Sequence, residues 1–168
     1  VDSDEIVSHE LAEEVKKAIT GEQYKGFTIR RKDFIFGRWL SHGETSKVRL
    51  LRIAKKDAGQ WTRPVHEVWN IHEDVGELFT PLEHFPHQNV AQFLDEINRY
   101  SSLNARYLYN QKVPVPPGGI VGYPVGKFFL NFIFYLGFLD GTAGALVAIF
   151  MSFHSFLTRA KLWQLWDR

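Results

Sequence analysis

Val1-Asp2-Ser3-Asp4-Glu5 is the stretch on which the fold assignment turns. An apolar residue runs into two aspartates spaced i, i+2, and a helix-like segment follows. Side chains of an extended chain alternate, so i and i+2 point to one side. Two carboxylates on one side, with only a serine between them, suit a hard divalent cation. Mg²⁺ or Mn²⁺ is commonly held by one or two protein carboxylates while substrate phosphates supply other ligands. The same pair is also compatible with a plain N-terminal turn or a solvated helix start. Val1 reads as the last residue of a buried strand, so the chain is expected to begin inside a domain.

Downstream, Ser8 is placed as an N-cap with Glu10 in the first turn. Leu11, Val15, Ala18 and Ile19 then recur at i, i+4, i+7 and i+8, the core stripe of an amphipathic helix that stops near Gly21. From Tyr24 to Leu40 the period changes to two. Phe27 and Ile29, then Phe34 and Phe36, predict two short strands separated at Lys32-Asp33. Residues 47–53 and 78–85 predict further strands. Asn89 is the expected cap of a long helix through about Tyr109.

Whole-chain totals narrow the function. The chain has 168 residues and a net charge of +1, from 20 basic and 19 acidic residues, which argues against nucleic-acid binding driven by bulk charge. With no cysteine, disulfides, thiolate catalysis and cysteine zinc sites are excluded.

In Trp61-Thr62-Arg63-Pro64-Val65-His66-Glu67-Val68-Trp69, a carboxylate sits among apolar and aromatic neighbours. Desolvation there raises a carboxyl pKa, which suits a general base; an ordinary edge strand with an exposed Glu67 is the alternative. A zinc helix motif fails on spacing, because His66-Glu67 is followed by His72 rather than by a histidine at 70. His84 and His87 form a possible metal pair without an evident third ligand.

Residues 113–126 carry Pro114, Pro116, Pro117, Gly118, Gly119, Gly122, Pro124 and Gly126 and predict an extended connection rather than a helix. Residues 127–168 predict an apolar helical hairpin. Phe128–Leu139 and Ala143–Leu157 are almost wholly apolar and are separated by Asp140-Gly141. Neither half reaches the ~20 residues of a bilayer span, so two short helices in the membrane interface are expected. Lys127, Arg159, Lys161, Trp163, Trp166 and Arg168 flank them, as suits headgroup depth. A buried hairpin of a soluble core is the alternative.

In order along the chain, Val1-Asp2-Ser3-Asp4-Glu5 with Ser8-His9-Glu10-Leu11 resembles the aspartate motif and following helix of family 2 glycosyltransferases of the GT-A fold. Gly37-Arg38-Trp39-Leu40, His42-Gly43, Arg49-Leu50-Leu51-Arg52, Val65-His66-Glu67, His84, Asn98-Arg99-Tyr100-Ser101 and Gly137-Phe138-Leu139-Asp140-Gly141 are similar to a subgroup, the bacterial lipopolysaccharide-core β-glucosyltransferases.

The resemblance implies an α/β fold: the C-terminal half of a GT-A nucleotide-sugar transferase domain, a mixed sheet with flanking helices, over residues 1–112. The Pro/Gly-rich connection 113–126 and the apolar extension 127–168 follow. It implies inverting transfer of a sugar from a nucleotide-diphosphate donor, a UDP-sugar first among them, to a glycan or lipid-linked acceptor hydroxyl in cell-envelope polysaccharide or lipopolysaccharide synthesis. Asp4 and Asp2 would hold Mg²⁺ or Mn²⁺ and the donor. Glu67 would be the base, with His66 orienting it, and His-Glu stands where the family more often has Glu-Asp. Arg49 and Arg52 would meet phosphate oxygens, though at i, i+3 on a strand they point to opposite faces. The expected location is cytoplasmic, peripheral at the inner face of the plasma membrane. The family carries about a hundred residues before the aspartate motif, including the nucleotide-base pocket, so this stretch by itself is expected to be inactive. A non-enzymatic membrane-peripheral interaction module is the alternative function.

Overall fold

A computed structural model of the chain describes residues 1–21, 23–56, 58–62, 68–71 and 74–167. The chain is mixed α/β. Its strands are β1 (Glu5–Ile6), β2 (Gly26–Ile35), β3 (Arg38–Trp39), β4 (Arg49–Ala54), β5 (Gly59–Thr62), β6 (Val68–Ile71) and β7 (Val75–His84). Its helices are α1 (His9–Ile19), α2 (Val90–Asn110), α3 (Gly119–Phe129) and α4 (Gly141–Trp166). Contacts divide it into two compact units: Val1–Phe34 with Thr45–Pro86, and Ile35–Glu44 with His87–Arg168.

The first unit is a mixed sheet under one helix. β7 lies parallel to β2 and antiparallel to β1, and β4 pairs antiparallel with β2. β5 and β6 form a separate antiparallel pair in which Trp61 stands opposite Trp69. The Ser8 hydroxyl accepts from the Leu11 N–H at 3.1 Å and starts α1 where the sequence placed it. The apolar stripe of α1 then meets one face of the sheet. Leu11 packs with Phe27, Ile29, Leu78 and Leu82, and Val15 and Ala18 close the edge. Each such fully buried aliphatic or aromatic side chain stabilises the unit by roughly 1.5–3 kcal/mol.

On α1, Glu14 ties helix to sheet. Its two carboxylate oxygens accept the Phe79 and Thr80 backbone N–H groups at 2.8 Å each. These donors lie where the β2–β7 register shifts between Ile29 and Arg31, so the ladder does not use them. Desolvation raises the Glu14 pKa, but the Thr80 hydroxyl and the two N–H groups outweigh it and hold it below the ordinary glutamate value. A depressed carboxylate pKa adds stability that is present above the unfolded value and is lost as pH falls through the folded one. Glu14→Gln is therefore expected to cost about 1–2 kcal/mol at neutral pH. The deficit should shrink as urea midpoints of both proteins are compared on the acid side of the ordinary glutamate pKa. A deficit unchanged by acid would contradict this role.

One expectation about this unit is corrected. Lys32-Asp33 does not split the strand at 24–40; β2 runs unbroken for 10 residues because Asp33, 2 % exposed, finds buried partners. Just before β1 the chain turns, with the Glu5 N–H donating to the Asp2 carbonyl at 3.1 Å.

The second unit is helical. Its short lead, residues 35–44, reverses at Phe36 (φ 50°) and Gly37 (φ 79°), two consecutive left-handed residues of the kind a tight hairpin turn requires. α2 begins at Asn89, whose side chain accepts from the Gln92 N–H at 2.9 Å, as expected. Ile35, Leu40, Phe93, Ile97, Ala143 and Val147 form the core.

Residues 113–126 are not an extended connection throughout. Only the first part is: Gly118 adopts φ 71°, and α3 starts at Gly119 with Pro124 inside it. Proline costs a helix one hydrogen bond and crowds the carbonyl four residues back. Here Pro124 is buried, and the Ser152 hydroxyl of α4 donates to its carbonyl at 2.8 Å, so packing on α4 outweighs local propensity. α3 continues through one π-helical turn, Leu130–Phe134, and a 3₁₀ turn, Gly137–Asp140, into α4.

α4 is also longer than expected. Its 26 residues run past Leu157, because Arg159 lies 4.2 Å over the Tyr123 ring and Lys161 hydrogen-bonds to α2. Charge alone does not end a helix whose charged side chains have partners. Gly137–Trp166, 30 residues long, contains an 18-residue window of mean hydropathy 1.4 and is long and apolar enough to cross a membrane by length and composition. Close approach at the bend depends on Gly144, where an added Cβ would stand 2.0 Å from the Gly137 carbonyl oxygen.

Candidate functional site

The sheet of the first unit lines up two acids and a histidine across three strands. Glu5 of β1 is in register with His84 of β7, and His84 with Asp33 of β2. His84 is the hub. Its Nδ1 faces Asp33 Oδ1 at 2.7 Å, and its Nε2 faces Asp4 Oδ2 at 3.2 Å. Arg31 Nε lies 2.8 Å from Asp33 Oδ1. A buried carboxylate thus orients an imidazole, and the imidazole in turn holds Asp4, whose side chain is 45 % exposed.

Glu5 organises the other half. Arg52 Nη2 donates to Glu5 Oε1 at 2.5 Å and to Asp2 Oδ2 at 2.8 Å, and the Asp2 N–H donates to Glu5 Oε2 at 3.0 Å. Arg52 falls where the β2–β4 register shifts, between partners Ile53 and Leu51, so it is the extra residue of a bulge. Bulges re-aim side chains in this way. Burial opposes the charge of Arg52, but the hydrogen bonds and attraction of Glu5, then Asp2, more than offset it and raise its pKa.

Asp2 and Asp4 therefore lie in one charged cluster but answer to different partners, Arg52 and His84. Each keeps one carboxylate oxygen without a hydrogen bond among the described residues. Carboxylate oxygens at exposed positions are ligands of the kind that a divalent cation shares with phosphate and water. They do not make a self-sufficient cage: no group of three or more metal-type side chains that could hold an ion is present among the described residues.

The second unit has its own polar cluster. Asp140, 7 % exposed, accepts the Ser41 N–H at 3.1 Å and the His42 N–H at 2.8 Å, and faces His42 Nδ1 at 2.9 Å. Arg38 Nη1 donates to the Asp140 carbonyl at 2.8 Å. Nearby, the buried Asn131 accepts the Glu44 N–H at 2.9 Å and donates to the Lys127 carbonyl at 3.0 Å, and Lys127 forms an ion pair with Glu44. With its oxygens taken by backbone donors, Asp140 acts as a clasp that fixes residues 38–44 to the bend before α4.

No protein-family model matches this chain. No solved structure matches it.

The site residues expected from sequence fall into three groups. Asp2, Asp4 and Arg52 come together, with Glu5, His84 and Asp33 as partners that spacing alone did not single out for this role. Arg49 does not join them; it forms an ion pair with Glu77 of β7. His66 and Glu67, the expected orienting residue and base, lie outside the described residues. His84 and His87 do not act as a pair within one unit: His84 bridges two carboxylates, and His87 stacks on Phe93 with centroids 4.3 Å apart. The missed partners had one sequence signal, a lone acid, Asp33, inside a strand of alternating apolar residues.

Proposed function

We propose that this chain is part of a metal-dependent glycosyltransferase of the GT-A type, moving a sugar from a nucleotide-diphosphate donor to a hydroxyl of a glycan or lipid-linked acceptor at the inner face of the plasma membrane, in cell-envelope polysaccharide or lipopolysaccharide synthesis. One observation carries this assignment. The aspartates of the motif are held at the end of a sheet by separate cationic or imidazole partners, Asp2 by Arg52 and Asp4 by His84, and each keeps a free oxygen turned to no protein group among the described residues. Preorganised carboxylates in partly exposed positions are what a phosphate-bound cation needs.

Asp4 and Asp2 would hold the Mg²⁺ or Mn²⁺; when bound, that ion supplies Lewis-acid stabilisation of the departing diphosphate. Asp33 and His84 keep the Asp4 carboxylate in place. Arg52 contributes positive charge beside the same cluster. Glu67 takes the proton of the acceptor hydroxyl, and His66 orients it. Arg49, tied to Glu77, is reserved for the sheet.

The alternative, a non-enzymatic membrane-peripheral module, is favoured by a different observation: Phe134 is 74 % exposed, Val121 64 % and Leu139 56 % on the apolar segment.

Titration of UDP with and without Mn²⁺ separates the two. In a chain carrying its natural upstream sequence, binding should require Mn²⁺. Asp4→Asn should weaken it by at least the ~10–100-fold that loss of even an indirect metal contact costs. Equal metal-dependent binding or transfer by the folded mutant would sink the transferase assignment.

A further inference from the structure

We propose that the outer stripes of α3 and α4 lie in the headgroup and acyl boundary of an anionic bilayer, with both helices along the membrane plane, and that α4 does not cross the membrane despite its length. This inference rests on the membrane-surface part of the proposed function and not on sugar transfer.

The case begins with α2, which accompanies α4 along its length. Phe93 meets Phe150 with ring centroids 4.9 Å apart. Further on, Lys161 Nζ donates to the Asn98 side chain at 2.7 Å and to the Ser101 and Ser102 hydroxyls at 2.8 Å each. At the far end Tyr109 meets Trp166 at 4.8 Å. The outward surface of α2 carries charge at Asp95, Arg99 and Arg106, all exposed, beside the apolar Val90 and Leu94. A crossing α4 would carry that charged helix into hydrocarbon, where unpaired charges are strongly disfavoured. A helix lying in the boundary leaves α2 in water.

The remaining surface of α4 is a stripe. Ile149, Phe153, Phe156 and Trp163 recur at helical spacing and are 50, 40, 38 and 50 % exposed. A matching stripe on α3 and its π-helical turn, Val121, Val125, Phe129 and Ile133, is 64, 49, 50 and 46 % exposed. Between residues 113 and 157 the formally charged side chains are Lys127 and Asp140, and both are satisfied inside the unit, by Glu44 and by the Ser41 and His42 N–H groups. Internal pairing of every charge is what a low-dielectric neighbour demands.

Charge complementarity selects anionic lipid over a protein partner. Residues 112–168 hold five basic side chains against two acidic ones, whereas residues 1–111 hold 15 against 17. Lys127 is neutralised by Glu44, Lys161 is held by α2 and Asp140 by backbone N–H groups, which leaves Lys112, Arg159 and Arg168 against Asp167 as the positive excess of this segment. Arg159 over Tyr123, with exposed Trp163 and Trp166 nearby in sequence, supplies the amphipathic groups that settle at headgroup level.

The chain has no cysteine, so single labels can be placed without background. The full chain would carry a nitrobenzoxadiazole label at Val125→Cys, Phe153→Cys or Arg106→Cys. Each would be mixed with sealed phosphatidylcholine vesicles with and without phosphatidylglycerol, circular dichroism confirming the helices. On the anionic vesicles, labels at 125 and 153 should be reduced several-fold more slowly by aqueous dithionite and quenched best by a shallow lipid-borne quencher. The label at 106 should stay fully reactive from outside. Protection of the label at 106, or strongest quenching of the label at 153 by a quencher at the bilayer centre, would mean that α4 crosses. No shielding on either vesicle would assign the stripes to a protein partner or a second copy. Each of these outcomes overturns the inference, and UDP binding, read separately, would be untouched by it.

Discussion

Asp140→Ala should lower the stability of the helical unit by about 3 kcal/mol. The substitution leaves the Ser41 and His42 N–H groups without their buried acceptor, and each donor left unsatisfied at such a part-buried position costs roughly 1–2 kcal/mol. Asp140→Asn keeps one oxygen acceptor and should lose about 1 kcal/mol. His42→Ala removes only the ring contact at 2.9 Å and leaves both backbone donors satisfied, so its loss should be the smallest of the three. Urea unfolding followed by far-ultraviolet circular dichroism gives the comparison; the midpoint should move while the denaturant slope stays fixed. Equal losses for Asp140→Ala and His42→Ala would show that the imidazole, and not the pair of N–H groups, is what Asp140 is there to hold.

Asp33→Ala should be at least as damaging to the first unit, by about 3–5 kcal/mol, because it strands Arg31 and His84 beside a site only 2 % exposed. Asp33→Asn keeps a carbonyl oxygen for one partner and should lie between that mutant and wild type. The substitution also removes the anchor of the imidazole that holds Asp4. If the proposed function is right, Mn²⁺-dependent UDP binding should weaken in Asp33→Asn even at temperatures where the chain is fully folded. A folded Asp33→Asn protein with unchanged metal-dependent binding would reduce the Asp33–His84 pair to a packing device.

What the sequence determined by itself was local. Ser8 and Asn89 start α1 and α2 because a side-chain oxygen can reach an N–H three residues on, a contact that needs no tertiary context. The stripe Leu11, Val15, Ala18 fixed which side of α1 is buried, and alternation of apolar residues located β2, β4 and β7. The Asp2 and Asp4 pair was legible for the same reason, and so was the low charge of the C-terminal segment.

Tertiary structure decided whatever depended on a distant partner. Asp33 looked like a break between strands, yet His84, 51 residues away, satisfies it and the strand runs through. Pro124 looked incompatible with a helix until α4 packed against it, and Arg159 and Lys161 looked like headgroup-level flanks until Tyr123 and α2 received them. The division of Asp2 and Asp4 between Arg52 and His84 was equally hidden, since it follows from a bulge in β4 and from the register of β1 on β7. In each case a polar group or a proline that is unfavourable alone becomes tolerable once its hydrogen bonds or its packing are completed from elsewhere in the chain. No window of neighbouring residues contains that partner.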